Sequence, residues 1–346
     1  MSASSIASAL IQAGIVWADA QDRLFTVVVE PALQAFGLAS YIEDAYGATL
    51  WFMAGAVQMV VLVAVLMPLE RVRPFEAADG APGTKRERWH AVRVDIVYTL
   101  IDRLGVLRLA LFVAVDPLWN AVFGRMAVSG VDGWHLDQAI APWWPGITDT
   151  ALAGFVAYAF VLDFVGYALH RAQHRFEWWW ALHAVHHSQR HMTLWTDSRN
   201  HLLDSVIVDT AFVLLARAIG VAPSQFVALV ALSRLIESLS HANLDLRFGC
   251  LLERLVVGPR FHRVHHGIGI GHERSDGQRL GGCNFGVLLP LWDVLFRTAR
   301  FDVAPGPTGI RDQLPAEGGC DYGRGFWAQQ SLGLRRLARA FTCGRA

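Results

Sequence analysis

The sequence predicts an all-helical protein embedded in a membrane, with its histidines gathered on one side. Three observations carry that prediction. Of 346 residues, 53% are hydrophobic and only 17% are charged, and mean hydropathy is +0.33, too apolar for an ordinary soluble domain. Apolar runs of about twenty residues recur, the length a helix needs to cross roughly 30 Å of hydrocarbon. Thirteen tryptophans suit a chain that meets membrane–water interfaces.

The elements follow in order. The start, MSASSIASALIQAGIVWADAQDRLF, lacks the basic opening of a secretory signal, so no cleavage is expected. The next stretch, FTVVVEPALQAFGLASY, is broken by Glu30 and Pro31 and reads as interfacial rather than spanning. Leu50 to Leu69 (LWFMAGAVQMVVLVAVLMPL) is the clearest span, and the basic segment ERVRPFEAADGAPGTKRERWHAVR follows it. A second run covers about 104–123, with Arg108 near one end, where its charge can snorkel. Residues 124–150 are polar, contain Trp and Pro, and are nearly free of Lys and Arg.

A third run, Ala151 to Leu169, stops at His170. Val206 to Leu239 is interrupted by GVAP at Gly220 to Pro223, and its length suits a helical hairpin or two half-spans better than one helix. From Arg247 the chain is polar and glycine-rich, and it closes with the basic amphipathic segment FWAQQSLGLRRLARAF. Four regions result: an interfacial segment 1–49, the first membrane helices and loops 50–150, a histidine-bearing region 151–300, and a polar tail 301–346.

Composition also excludes. Thirty basic and thirty acidic residues leave a formal net charge of +0, so nothing points to nucleic acid. Cys250, Cys283, Cys320 and Cys343 are far apart with no CxxC pair, which argues against a zinc ribbon, a rubredoxin-type centre or a disulfide framework.

Basic residues set the orientation. Arg71, Arg73, Lys85, Arg86, Arg88 and Arg93 put the first loop on the cytoplasmic side. The second run then exits, and the Arg-poor 124–150 segment lies on the far side. The third run returns His170 to the cytoplasmic face with Arg171, Arg175, Arg190 and Arg199. The hairpin dips in and comes back, so His241 and His262 to His266 lie there too. Every histidine block falls on one face, although the histidines were not used to place it. The expected location is a multi-pass integral membrane protein, in a bacterial inner membrane, with its active site facing the cytoplasm.

Eleven of the fourteen histidines fall between 170 and 266. Three blocks have ligand-like spacing: His170 and His174 (HxxxH), His183 with His186 and His187 (HxxHH), and His262 with His265 and His266 (HxxHH). Residues three and four apart share a helix face, so each block can present two or three imidazoles to one point. One such pair alone is most often an accident of a polar surface; three at the ends of membrane segments are not. A pH switch needs one or two histidines beside an ion pair, and eight packed imidazolium ions would repel strongly. A metal requires them neutral and convergent.

A structural zinc takes four ligands and a catalytic zinc about three. Eight to ten nitrogen donors therefore suggest a pair of ions. Imidazole suits iron, zinc, copper and nickel alike. The setting favours iron, because an all-nitrogen dinuclear site facing a membrane suits O2 activation against an unreactive C–H bond, and zinc has no accessible redox change.

DFVGYALHRAQH, LHAVHHSQRHMTLWTDSRNH, HANLDLRFGCLLERLVVGPRFHRVHH and NFGVLLPLWDVLFRT together resemble the fatty acid hydroxylase / sterol desaturase superfamily of membrane di-iron enzymes, over about 151–300. The resemblance implies an all-helical bundle of about four transmembrane helices under a cytoplasmic histidine cap. It implies two iron ions as cofactor, O2 as cosubstrate, a membrane lipid as substrate, and electrons from a separate ferredoxin, rubredoxin or cytochrome b5-like protein. His170, His174, His183, His186, His187, His262, His265 and His266 match the metal-binding boxes. His241, in SHANL, matches an additional ligand. His201, in SRNH, sits at the family's Arg-x-His element, as a ligand or a group behind one. His191 and His272 have weaker claims, and His90 and His135 read as ordinary interfacial residues.

Two departures stand out. Where some relatives carry another histidine one turn before His241, this chain has Glu237, which is a carboxylate ligand, an acceptor for an imidazole N–H, or a group neutralised by Arg234. After the last box, GIGIGHERSDGQRLGGC is long and glycine-rich, either a lid over the site or a plain connector. Asp163, nearly on the face of His170, is costly near a membrane unless paired and is a candidate acceptor behind a ligand. Glu237 and Asp163 are thus the candidate proton-handling residues. Trp178 to Trp180 read as an interfacial belt. Asp293 is an orienting carboxylate or a helix cap.

The expected function is hydroxylation of a lipid C–H bond by a di-iron monooxygenase. Desaturation on the same site is the alternative. A metal transporter would place ligands within the spans, and a dead scaffold would have broken boxes; the sequence shows neither.

Overall fold

The computed structural model describes residues 3–77, 83–105, 121, 124–125, 128–129, 134–147, 151–269 and 281–343. Most of the second apolar run, about 104–123, and His272 with most of the glycine-rich loop lie outside the described residues. The described residues are helical, and their only β pairing is two isolated bridges, Pro74 with Leu244 and Gly267 with Thr308. The chain divides into two compact units, Met1–Met59 with Ile101–Arg125, and Val60–Leu100 with Met126–Ala346.

The N-terminal helix runs α1 (Ala3–Leu24), a π-helical turn (Phe25–Val29) and α2 (Glu30–Ala35). The expected break at Glu30 and Pro31 therefore does not occur. Pro31 sits in the first turn after the π segment, where the shifted bonding register relieves the ring and its missing N–H. The same device recurs in the next helix: α3 (Ile42–Val61), a π turn (Leu62–Leu66), then α4 (Met67–Val72) with Pro68 in its first turn. Gly55 on α3 is required by close approach. A Cβ there would lie 1.7 Å from the Arg103 carbonyl oxygen at the end of α5 (Lys85–Arg103), and Gln58 one turn on accepts from the Arg103 guanidinium at 2.9 Å.

Two described helices are long and apolar enough to cross a membrane, Ala39–Val72 and Ala151–Arg175. Their faces are arranged for lipid. In α7 (Ala151–Arg175), which follows the short α6 (Leu136–Ile140), Leu152, Val156, Phe160 and Phe164 form an exposed stripe. Tyr158, Leu162, Gly166, His170 and His174 form the buried one. Both stripes have the four-residue spacing of a helix face. The outward face is the more apolar, the reverse of a water-soluble helix.

The apolar region after the first histidines is the expected hairpin, α9 (Leu202–Ala218) and α10 (Pro223–His241). Gly220, at φ +78°, turns it: Val221 N donates to Ala216 O at 2.8 Å and Gly220 N to Arg217 O at 3.3 Å, the left-handed glycine ending of a helix. Ile219 and Val221 of this turn pack with Tyr158 and Leu162 of α7 and Leu136 of α6. Tyr158 lies twelve residues, about 18 Å of helix, from His170. Both ends of the hairpin therefore return to the histidine end of α7, which brings His241 there.

The cap over that end is built from α8 (Glu177–His187), the one-turn α11 (Gly249–Leu252), α12 (Pro259–His265) and α13 (Leu291–Leu295). The C-terminal α14 (Phe326–Cys343) packs along α8 and buries Gln329 and Gln330, so this part of the expected tail belongs to the core of the cap. Trp180, packed with Ile310, Tyr322 and Leu332 of α14, is 3% exposed, and Trp179 is 7% exposed, so neither forms a belt at the lipid boundary.

Candidate metal centre

Nine histidines converge in two groups. His170, His174, His183, His187 and His265 form the first, and His186, His241, His262 and His266 the second; within each, one nitrogen per ring lies within 4.8 Å of all the others. Helix geometry explains the division. Each i, i+4 pair shares a face and enters one group: 170/174 and 183/187 the first, 262/266 the second. The third histidine of each HxxHH block points aside and enters the other group. A block therefore serves two points, not one as its spacing suggested.

In the second group the Nε2 atoms of His241 and His186 are 3.1 Å apart, those of His262 and His241 3.0 Å, and those of His266 and His262 3.1 Å. His241 Nδ1 donates to the Glu237 carbonyl oxygen at 2.7 Å, so in the neutral ring its Nε2 is a bare lone pair. One His262 hydrogen cannot serve two Nε2 neighbours. Bonds of about 2.1 Å at right angles place neighbouring nitrogens about 3 Å apart, so these contacts match the edge of a coordination polyhedron.

In the first group the outer nitrogens are held and the inner ones bare. His170 Nδ1 donates to Phe285 O at 2.9 Å, His183 Nδ1 to Asp204 at 3.1 Å, and His265 Nδ1 to Cys283 O at 2.7 Å. Their Nε2 atoms, and that of His187, are buried with no hydrogen-bond partner among the described residues. A buried polar atom left bare is costly unless something binds it. The donor set fits a metal pair on this ground.

Burial disfavours the charged form of several of these rings. Burial first, and then the neighbouring imidazoles, hold His186, His187, His262 and His266 well below the ordinary histidine range. Burial holds His265 at about 3. Neutral imidazole is the form that ligates.

Residues 155–298 match the family described as fatty acid hydroxylase. That matched region, which holds all nine converging rings, is of the fatty acid hydroxylase kind. It is 27% identical over 298 residues to ornithine lipid hydroxylase OlsE of Rhizobium tropici, covering 86% of this chain and 79% of that protein. It is 30% identical over 145 residues to alkylglycerol monooxygenase of Caenorhabditis elegans, covering 40% of this chain and 25% of that protein. It is 29% identical over 175 residues to very-long-chain aldehyde decarbonylase GL1-6 of Oryza sativa subsp. indica, covering 46% and 24%. Thus the chain spans about a quarter of the last two. No solved structure matches it significantly. The match to this oxidoreductase family makes the chain an enzyme.

The family's boxes account for eight of the nine converging rings, and His241 for the ninth. His201 is the exception among the expected ligands. It caps α9, with Nδ1 accepting from Leu203 N at 3.1 Å and Nε2 donating to Gln330 O at 2.9 Å. Both nitrogens are engaged and it joins neither group. The useful member of the Arg-x-His element is Arg199, whose guanidinium reaches Val185 O at 3.2 Å and the buried Asp95, tying down the end of α8.

The two proposed proton-handling carboxylates are also placed elsewhere. Glu237 accepts from Ser233 at 2.9 Å and Arg234 at 3.1 Å, the neutralised arrangement; it reaches His241 only through its backbone carbonyl. Asp163 accepts from Leu288 N at 2.8 Å, Leu289 N at 3.2 Å and Trp292 Nε1 at 2.9 Å, so it holds the NFGVLL loop rather than an imidazole. Asp293 binds Phe285 N, Gly286 N and Thr298, and orients the same loop. His191 lies 3.6 Å from Glu76, outside both groups. His90 lines a surface cleft with Arg93 and Phe326, and His135 precedes α6, facing Gly220.

Asp204 was missed. Buried in the first turn of α9, it accepts from Gln173 at 2.8 Å, Trp179 at 2.7 Å and His183. Its signal was a carboxylate opening an apolar helix, three residues after His201. Trp180, expected in an interfacial belt, lies with its ring 5.0 Å from His174 and 5.2 Å from His187, walling the first group.

Proposed function

We propose that this enzyme is an O2-dependent, non-haem di-iron monooxygenase that hydroxylates a C–H bond of a membrane lipid, with electrons from a separate redox protein. The observation that supports it is the pair of converging, nitrogen-only groups buried at the end of an apolar helix. Bound there, two iron ions supply the redox change that O2 reduction and C–H cleavage demand. The overall reaction puts one oxygen atom into the lipid and the other into water, consuming two electrons and two protons.

The chain's own residues hold and shield. His170, His174, His183, His187 and His265 hold one ion; His186, His241, His262 and His266 hold the other. Asp204 and the carbonyls of Phe285, Cys283 and Glu237 fix ring tautomers, which raises the donor strength of the opposite nitrogen. Burial of every one of these rings keeps bulk water from the site. Glu237 and Asp163 spend their oxygens on other partners, which favours a structural role for both.

The distribution of arginine and lysine supports a cytoplasmic site in a multi-pass protein. Ornithine lipid is the first substrate to test, because the relative that acts on it covers most of this chain. Lipids from cells producing ornithine lipid, with and without this enzyme, are compared by mass spectrometry. Gain of one oxygen atom is expected. Loss of two hydrogens indicates desaturation, and an unchanged lipid profile with an iron-loaded enzyme rejects this substrate class.

A further inference from the structure

The chain from Glu70, at the end of α4, to residue 77 forms a strap. Glu70 Oε1 accepts from Leu194 N at 2.7 Å and Asn243 N at 2.6 Å. Arg73 O accepts from Asp245 N at 3.0 Å, and Pro74 pairs with Leu244. The Asn243 side chain clasps Glu76 from both sides, accepting from its N–H at 2.9 Å and donating to its carbonyl oxygen at 3.0 Å. The Glu76 carboxylate lies 2.9 Å from the Arg263 guanidinium, which also covers the Phe75 ring at 4.6 Å.

Apart from Leu194, the residues attached lie on two short stretches. Asn243 follows His241 by two residues, and Arg263 sits between His262 and His265. The strap therefore grips the two stretches that supply His241, His262 and His266, three of the four rings of the second group; the second stretch also carries His265 of the first group, whose Nδ1 is held separately by the Cys283 carbonyl. That group needs such support. Nδ1 of His186, His262 and His266 is buried with no hydrogen-bond partner among the described residues, whereas three rings of the first group are oriented directly at Nδ1. Rings without outer partners are aimed only by the backbone that carries them.

We infer that Glu70 and Glu76 are positioning residues for the second nitrogen group, so that filling of that metal position depends on the end of the first apolar helix. This rests on the two-metal reading above. The test uses the full chain in detergent, reconstituted with ferrous iron, oxidised, and read by iron content and EPR. Glu70→Ala and Glu76→Ala are expected to fall from two ions per chain to about one, with an isolated high-spin ferric signal replacing the silent coupled pair. Glu70→Gln, which keeps an acceptor oxygen, is expected to restore two. Should Glu70→Ala fail to fold, Glu76→Ala decides on the same readouts. Retention of two coupled ions in the alanine variants, or loss of both together, overturns the inference. Fewer than two ions in the unaltered protein would instead overturn the two-metal reading.

Discussion

His187 and His266 stack face to face, with ring centroids 4.2 Å apart and planes 17° apart, yet each belongs to a different nitrogen group. Two separate stretches of chain thus meet where the two nitrogen groups adjoin. Removing one ring from each group is expected to abolish turnover for different reasons. His183→Ala should empty the first position and His266→Ala the second, each lowering product formation at least about a hundredfold. Iron content against lipid product checks this, and wild-type turnover in either variant rejects it.

His201→Ala provides the contrast. Both nitrogens serve the α9 cap and Gln330, so iron content should stay at the wild-type level. Stability should fall by about 1–2 kcal/mol from the lost cap and the exposed donor and acceptor. Loss of one iron with unchanged thermal stability would restore His201 as a ligand.

Acid should unfold the metal-free protein. The folded-state pKa values of His186, His187, His262 and His266 lie well below the ordinary value, and that of His265 is about 3. Below the unfolded value of about 6.5 the unfolded chain binds protons that the folded chain refuses, so stability is full above that pH and is lost as pH falls towards the folded values. Each such ring costs about 1.4 kcal/mol per pH unit in that window. Thermal unfolding of the chelated protein from pH 7 to pH 5 measures it, and a flat profile contradicts a neutral cluster.

Asp204→Asn places an amide N–H against one of three buried donors, Gln173, Trp179 or His183. A fall of about 10- to 100-fold in iron affinity is expected at the first position, with about 1–3 kcal/mol of stability lost. Competitive chelator titration separates the two effects.

Asp163→Asn loses one of the carboxylate oxygens that together accept three N–H groups of the 288–292 loop. Stability should drop by about 1–3 kcal/mol with the pH dependence of turnover unchanged. A shifted pH–rate profile would return Asp163 to proton transfer.

Much was legible beforehand because it depends on local spacing. The blocks 170/174, 183/187 and 262/266 are visible as i, i+4 pairs, and the hairpin was readable from an apolar stretch interrupted by GVAP. What was misread depends on partners far along the chain. Trp179 looked like a membrane anchor until Asp204, 25 residues away, received its N–H. Asp163 looked like a ligand's partner, but its oxygens are claimed 125 to 129 residues later. Pro31 read as a break because a π turn has no composition signature.

By itself the sequence determined the long apolar helices, the spacing of the histidine blocks and the resemblance to the family, since apolar length and helical spacing are properties of short stretches. Only the tertiary structure decided how nine rings divide into groups of five and four, that His201 is spent on a helix cap, and that Glu70 and Glu76 brace the second group. The physical reason is that a ring nitrogen or a carboxylate oxygen becomes a ligand, a cap or a brace according to which buried partner takes its lone pair first. Those partners are brought together by folding and not by order along the chain.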